Sequence, residues 1–257
     1  MRKSPLPIAL FSLAALAFTA VSASAADEAG APIKALYVTG GGFHDYDGQT
    51  VIVQESLAAH LPSLELIVNA VPSNRDAPAI HPAFEGDDWA DGYDLVIYNM
   101  CNSGRQTDDD YVARIVAPHH AGLPAVVIHC TMHQFRPDET GKWNAFLGIE
   151  STAHERGAPV TVTLTKPDHP ALAGLPETWS YPKGELYQVI SEGDNVVPLA
   201  VGVSSEEVEH TIIWTNTYGE GRVFGTTIGH ANETMLEEEF QTLLKNGILW
   251  ALGRLDP

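Results

Sequence analysis

Basic residues and cysteines are both scarce in this chain. Lysine and arginine total 14 against 33 aspartates and glutamates, a formal net charge of −19 with histidine neutral. Such a surface repels phosphate backbones and anionic lipid, which argues against nucleic acid or a membrane surface as partner. Only two cysteines are present, Cys101 and Cys130, and no zinc-finger-like spacing exists. They suit either one disulfide in an exported protein or two buried thiols, and the sequence supplies no Cα distance to choose between them. The chain also lacks internal repeats and low-complexity tracts. Gly40-Gly41-Gly42 has neither the spacing nor the acidic partner of a dinucleotide fingerprint.

Long apolar runs are missing after the N-terminus. There, Arg2 and Lys3 precede the apolar Ile8–Val21 and the small-residue site Ala23-Ser24-Ala25. This order predicts a secretory signal peptide over residues 1–25, cleaved before Ala26, and a single domain over 26–257. A periplasmic or secreted protein, free of the membrane after cleavage, is the expectation.

Strand and helix patterns alternate through the first half. Strands are predicted at Ile33–Thr39, Leu64–Val71, Tyr93–Met100 and Leu123–His129. Helices are predicted at Gln49–His60, with Val51, Val53, Leu57 and Leu61 as its apolar set, and at Asp108–His120. Pro72–Gly92 reads as a loop with a turn of helix. Such alternation implies an open parallel sheet of βαβ units flanked by helices. The second half changes rhythm, with short strands at Val160–Thr165, Glu185–Ile190, Val196–Val203 and Thr211–Thr215. Tyr218-Gly219-Glu220-Gly221 turns into a strand at Arg222–Ile228, and one amphipathic helix is expected over Thr234–Leu252. The predicted class is α/β, with extra antiparallel strands in the C-terminal half.

Four apolar strands each run into polar or reactive groups. These are Gly40-Gly41-Gly42-Phe43-His44, Cys101-Asn102-Ser103-Gly104, His129-Cys130-Thr131-Met132-His133 and Gly229-His230. Open α/β sheets bind ligands outside the carboxyl ends of their strands, so these groups are expected to converge. His44, His129 and His230 are candidate acid/base groups, and His154 can reach the same crevice. Glu185 can act as acid, base or ligand. Several imidazoles and a carboxylate, in particular His44, His129 and Glu185, suit a divalent ion such as zinc or manganese. No histidine pair lies on a predicted helix at ligand spacing, so such a site depends on long-range assembly. The aromatics Phe43, Tyr46, Trp143 and Tyr187 can stack on sugar faces. The turn after Ile128 is compatible with a nucleophile elbow presenting Cys130, although Met132 stands where small residues are usual.

Several segments together resemble one family. They are Tyr37-Val38-Thr39-Gly40-Gly41 with His44, Val126-Val127-Ile128-His129, Trp143-Asn144 with Leu147-Gly148, Glu185-Leu186-Tyr187, and Tyr218-Gly219-Glu220-Gly221-Arg222-Val223-Phe224 with Gly229-His230. The pattern resembles the trehalose-utilisation (ThuA-like) family and covers nearly all of residues 26–257. The resemblance implies a flavodoxin-like, class I glutamine amidotransferase-like sheet and a role in carbohydrate catabolism. It further implies action on a disaccharide or glycoside, including its 3-keto form, as a hydrolase, lyase or isomerase. His44, His129, Glu185 and His230 would be catalytic, and Phe43, Trp143, His154 and Tyr187 would bind substrate. The family usually carries aspartate immediately before the glutamate of Glu-Leu-Tyr, where this chain has Gly184. A non-catalytic sugar-binding or accessory protein on the same scaffold is the competing expectation.

Overall fold

Buried apolar runs on both faces define the centre of the sheet. In the computed structural model, residues 32–102, 108–136 and 138–255 are described, together with Met1. The predicted signal peptide, and Ser103 and Gly104, lie outside the described residues. Strand β1 (Ile33–Gly41) leads through α1 (Tyr46–His60) to β2 (Leu64–Ala70). A 3-10 turn at Pro82–Phe84 precedes β3 (Leu95–Cys101), followed by α2 (Asp109–His120) and β4 (Ala125–Ile128). Next come α3 (Lys142–Leu147), β5 (Ile149–His154), β6 (Ala158–Leu164), β7 (Thr178–Gly184) and β8 (Tyr187–Glu192). The chain closes with β9 (Val197–Val203), β10 (Glu209–Tyr218), β11 (Gly221–Thr226), α4 (Asn232–Met235) and α5 (Glu238–Ala251).

Among the described residues one sheet has the order β2-β1-β3-β4-β11-β10-β9-β6-β7, and β5 pairs with β8 in a second. The pairings from β2 to β11 are parallel and the rest antiparallel. The parallel half has flavodoxin-like order, with its switch point between β1 and β3. Side chains alternate strictly between its faces. Ala35, Tyr37, Leu95, Ile97, Val126 and Ile128 pack with Val53 and Leu57 of α1 and with Phe240, Leu244 and Ile248 of α5. Leu36, Val38, Val96, Tyr98 and Val127 pack with Val112 and Ile115 of α2 and with Phe146 of α3.

Strand β7 lies five places from β4 in the sheet. A flat sheet would separate them by roughly 24 Å at the usual spacing. Yet Glu185, the first residue after β7, comes within 3.3 Å of His129, the first residue after β4. The antiparallel half therefore curls back over the strand ends of the parallel half.

Four expectations require correction. Val51 of α1 is 52% exposed, and the buried positions nearby are Tyr46, Gln49 and Val53, because Val51 lies about 160° round the helix from Val53. The single helix over Thr234–Leu252 is two, broken where Glu237 takes an extended backbone and Leu236 faces solvent. The Glu185–Ile190 strand begins at Tyr187, so Glu185 sits in a crossing between two sheets. Strands β5 and β7 had no counterpart in the pattern. β7 carries Pro182, which an edge strand tolerates because its outer N–H needs no partner.

Candidate functional site

The ends of β1, β4 and β11 each supply one histidine. After β1 the backbone turns through Gly40 and Gly41, with φ of 121° and 125°. A Cβ on Gly41 would lie 2.0 Å from the Cys101 carbonyl oxygen, so only glycine lets β1 pass this close to the end of β3. The loop is pinned where Ser73 Oγ donates to the His44 carbonyl and accepts from Tyr46 N–H. It brings the His44 ring to 4.7 Å from that of His129 and 5.1 Å from that of His230.

His129 occupies the sharp turn after β4 with φ 48°, left-handed for a non-glycine residue. Such conformations cost about 1–3 kcal/mol and persist where the surroundings enforce them. The elbow therefore presents a histidine. Cys130 is joined to Cys101 in a disulfide with Cα atoms 5.4 Å apart, which leaves no thiol for the nucleophile reading. His129 is 1% exposed, and its Nδ1 donates to the Thr227 carbonyl at 2.6 Å. Its Nε2 lies 3.3 Å from Glu185 Oε2 and 3.5 Å from the Tyr187 hydroxyl.

His230 follows Gly229, and its Nδ1 lies 3.2 Å from the same Glu185 oxygen. Beneath it, the Gln49 amide donates to the Gly229 carbonyl and accepts from Asn99, which also donates to the Tyr37 hydroxyl. This buried relay fixes the β11 loop against α1. The other Glu185 oxygen lies 3.6 Å from His154 Nδ1, which itself donates to the Glu155 carbonyl. Glu185 is thus held by residues from the parallel half of the large sheet and from the two-stranded sheet.

Gly184 has no room for a side chain. A Cβ there would meet the Tyr181 ring at 2.3 Å and Val160 at 2.7 Å. The packing that carries Glu185 is built around the missing aspartate.

Electrostatics divide the site into one anion and several neutral rings. Burial pushes His44 down to about 3, helped by His129 and His230, and pushes His129 down as well. Burial also lowers His133 to about 3, with Arg136 beside it adding to the effect. Burial opposes ionisation of Glu185, but positive charge on the side where His129 and His230 face it outweighs burial and holds the carboxyl below the usual carboxylate range. Tyr187 is pushed well above its ordinary value by burial and by Glu185, so its hydroxyl keeps its proton.

A cavity of about 230 Å³ opens onto this cluster, walled by Phe43, His44, Cys130, His133, Arg136, His154, Glu185 and Tyr187. The Tyr187 ring lies 4.4 Å from that of His133 and 5.4 Å from that of His154, and those two rings are 6.2 Å apart. Phe43 is 48% exposed and lies under the Arg75 guanidinium. A larger hollow of about 440 Å³, walled by Asn144, Glu150, Asp194 and Tyr218, lies at the end of the sheet where β11 begins and contains none of the clustered histidines or Glu185.

Of the expected site residues, His44, His129, Glu185 and His230 meet at one point, with Phe43, His154 and Tyr187 around it. Trp143 does not join them. It is 1% exposed, donates from Nε1 to the Thr131 carbonyl and packs on Phe135 and Phe146, because α3 turns its apolar face into the core. Tyr46 is likewise buried beneath His44 rather than facing the cavity. His133, Arg136 and Gln49 were not singled out. For Gln49, a polar residue on the core face of a helix was a usable signal.

Doubly wound order, histidines at the strand ends and a returning antiparallel half define a class I glutamine amidotransferase-like scaffold whose elbow carries no nucleophile. The ThuA family profile, described as trehalose utilisation, matches residues 49–251. The chain belongs to this family. Its fold is similar to that of a ThuA-like protein from Parabacteroides merdae ATCC 43184, with TM-score 0.71, 21% identity, and coverage of 88% of this chain and 92% of that one. A ThuA-like protein from Bacteroides uniformis ATCC 8492 gives 0.67 at 15% identity, covering 86% and 91%. A cytoplasmic protein from Salmonella typhimurium, STM3548, gives 0.56 at 12% identity, covering 85% and 99%. No curated protein matches the sequence significantly.

Proposed function

We propose that this chain is an exported enzyme of carbohydrate catabolism that acts on a disaccharide or glycoside in its 3-keto form by histidine/glutamate acid-base chemistry. The observation that carries this reading is Glu185, an ionised carboxylate held among His129, His154 and His230 at the wall of a polar cavity. A 3-keto group acidifies the C–H beside it. Glu185 accepts that proton, the Tyr187 hydroxyl donates to the enolate oxygen, and the glycosidic C–O bond breaks as electrons return from the enolate. The departing oxygen takes up the proton that Glu185 accepted, which restores the carboxylate, while His154 holds that carboxylate from the solvent side. The Cys101–Cys130 disulfide supports an oxidising compartment, in keeping with a cleaved leader over residues 1–25.

The test is a product assay by NMR on trehalose and on a 3-keto disaccharide. Turnover of the keto sugar is expected, with kcat reduced about 100-fold or more in Glu185→Gln. Saturable binding of either sugar with no turnover would instead make the protein a sugar-binding accessory.

A further inference from the structure

The same pocket has a feature that proton transfer alone does not explain. A carbonyl oxygen only accepts, so the contact with Thr227 fixes the His129 proton on Nδ1. Nε2 of the neutral ring is then a lone pair, and it faces the Glu185 carboxylate at 3.3 Å. Two acceptors at that distance repel each other unless a cation lies between them. The Tyr187 hydroxyl, at 3.5 Å, is at the limit of a useful hydrogen bond. His230 Nδ1 approaches the same oxygen at 3.2 Å without making a hydrogen bond, and His44 Nε2 is buried with no hydrogen-bond partner. Three imidazoles packed this closely cannot all carry the missing positive charge as protons.

One ligand atom from each of His44, His129, Glu185 and His230 falls within 4.8 Å of the others. Tetrahedral zinc with bonds of about 2.0–2.2 Å spaces its ligand atoms about 3.3–3.6 Å apart. The two Glu185 contacts, at 3.3 and 3.2 Å, are already near that spacing, and the widest pair must close by about 1 Å. We propose that His44, His129, His230 and Glu185 bind one first-row divalent cation, zinc foremost, through three imidazole nitrogens and one carboxylate oxygen. Imidazole ligands favour zinc over calcium or magnesium. The Thr227 carbonyl then does what outer partners of metal-bound histidines do, fixing the tautomer and the ring plane. Because His44 and Glu185 also wall the cavity, a sugar oxygen entering it reaches the cation. The catalytic use of the cation rests on reading this pocket as a reaction centre, but the test of binding does not.

The full chain, stripped with chelator and dialysed, is titrated with Zn²⁺ by calorimetry, and bound metal is counted by elemental analysis. One zinc per chain at submicromolar Kd is expected. His44→Ala and His230→Ala should each weaken binding about 100-fold, while His133→Ala and His154→Ala stay within about threefold. Circular dichroism checks that each variant folds. Should an alanine variant fail to fold, Glu185→Gln preserves shape and removes the anion. Co²⁺ added to the unmodified chain should give the visible bands of a four- or five-coordinate site. Absence of stoichiometric zinc overturns the proposal, as does binding that His44→Ala, His230→Ala and Glu185→Gln leave intact. Zinc binding without sugar turnover supports the site and removes the enzymatic reading. Turnover by a protein that binds no zinc does the reverse.

Discussion

His129 shows how one backbone angle can be enforced by a site. Its φ of 48° suits glycine far better than any side chain with a Cβ, yet the ring is bonded to Thr227 and packed against Tyr187. Removing the ring removes the reason for the angle. His129→Gly should therefore be more stable than His129→Ala by about 1 kcal/mol, as read from urea midpoints. Equal midpoints would mean the turn is unstrained. Gly184→Ala should lose about 1–3 kcal/mol, since its Cβ would overlap the Tyr181 ring. At this scale the sequence was informative where a polar group closes an apolar run, as at His44, His129 and His230. It was silent on Trp143, because an aromatic residue looks the same in a core and on a binding wall. The roles of His133 and Arg136 depend on the direction of the 3-10 turn after β4, which no periodicity encodes.

Among the elements, the parallel strands were legible because burial on both faces makes them continuously apolar. Strands β5 and β7 were not: β5 is half-exposed, and β7 is an edge strand interrupted by proline. The break between α4 and α5 was also hidden, since Leu236, Phe240 and Leu244 keep a helical spacing across it. Its structural use is local. Thr234 bonds the Lys183 carbonyl and Asn232 bonds Asp45, so α4 clamps β7 to the start of α1 beside the cluster. The disulfide performs a similar task for β3 and β4. With its two cysteines 29 residues apart, loop-closure entropy predicts that the Cys101→Ser/Cys130→Ser double variant loses about 3–4 kcal/mol. Urea unfolding with and without reductant checks this, and identical curves for the unmodified chain would contradict it.

The whole molecule should be acid-sensitive for reasons unrelated to its cavity. Burial holds both His81 and His119 at about 4, below their ordinary 6.5. His119 sits between the Tyr98 hydroxyl and the Leu123 carbonyl, and His81 between Thr39 and Ala83. Between pH 6.5 and 4 the unfolded chain binds protons that the folded chain refuses, so stability rises with pH through this window. It is fully present above pH 6.5 and falls on acidification, by about 3 kcal/mol for the fully buried His119 alone. Urea midpoints at pH 7, 6 and 5 should decline in that order. A flat series would show that these rings accept protons in place.

The curl of the sheet has a consequence for the chain's history before it folds. Strand β4 lacks its neighbour β11 until nearly the whole polypeptide exists, with 98 residues separating His129 from Thr227. Long-range parallel pairing of this kind is slow to form. A chain with the predicted leader would thus still be unfolded when its last third leaves the ribosome, which is the state a narrow translocation channel requires. The architecture that assembles the pocket from distant segments also delays its assembly until the last strands are available.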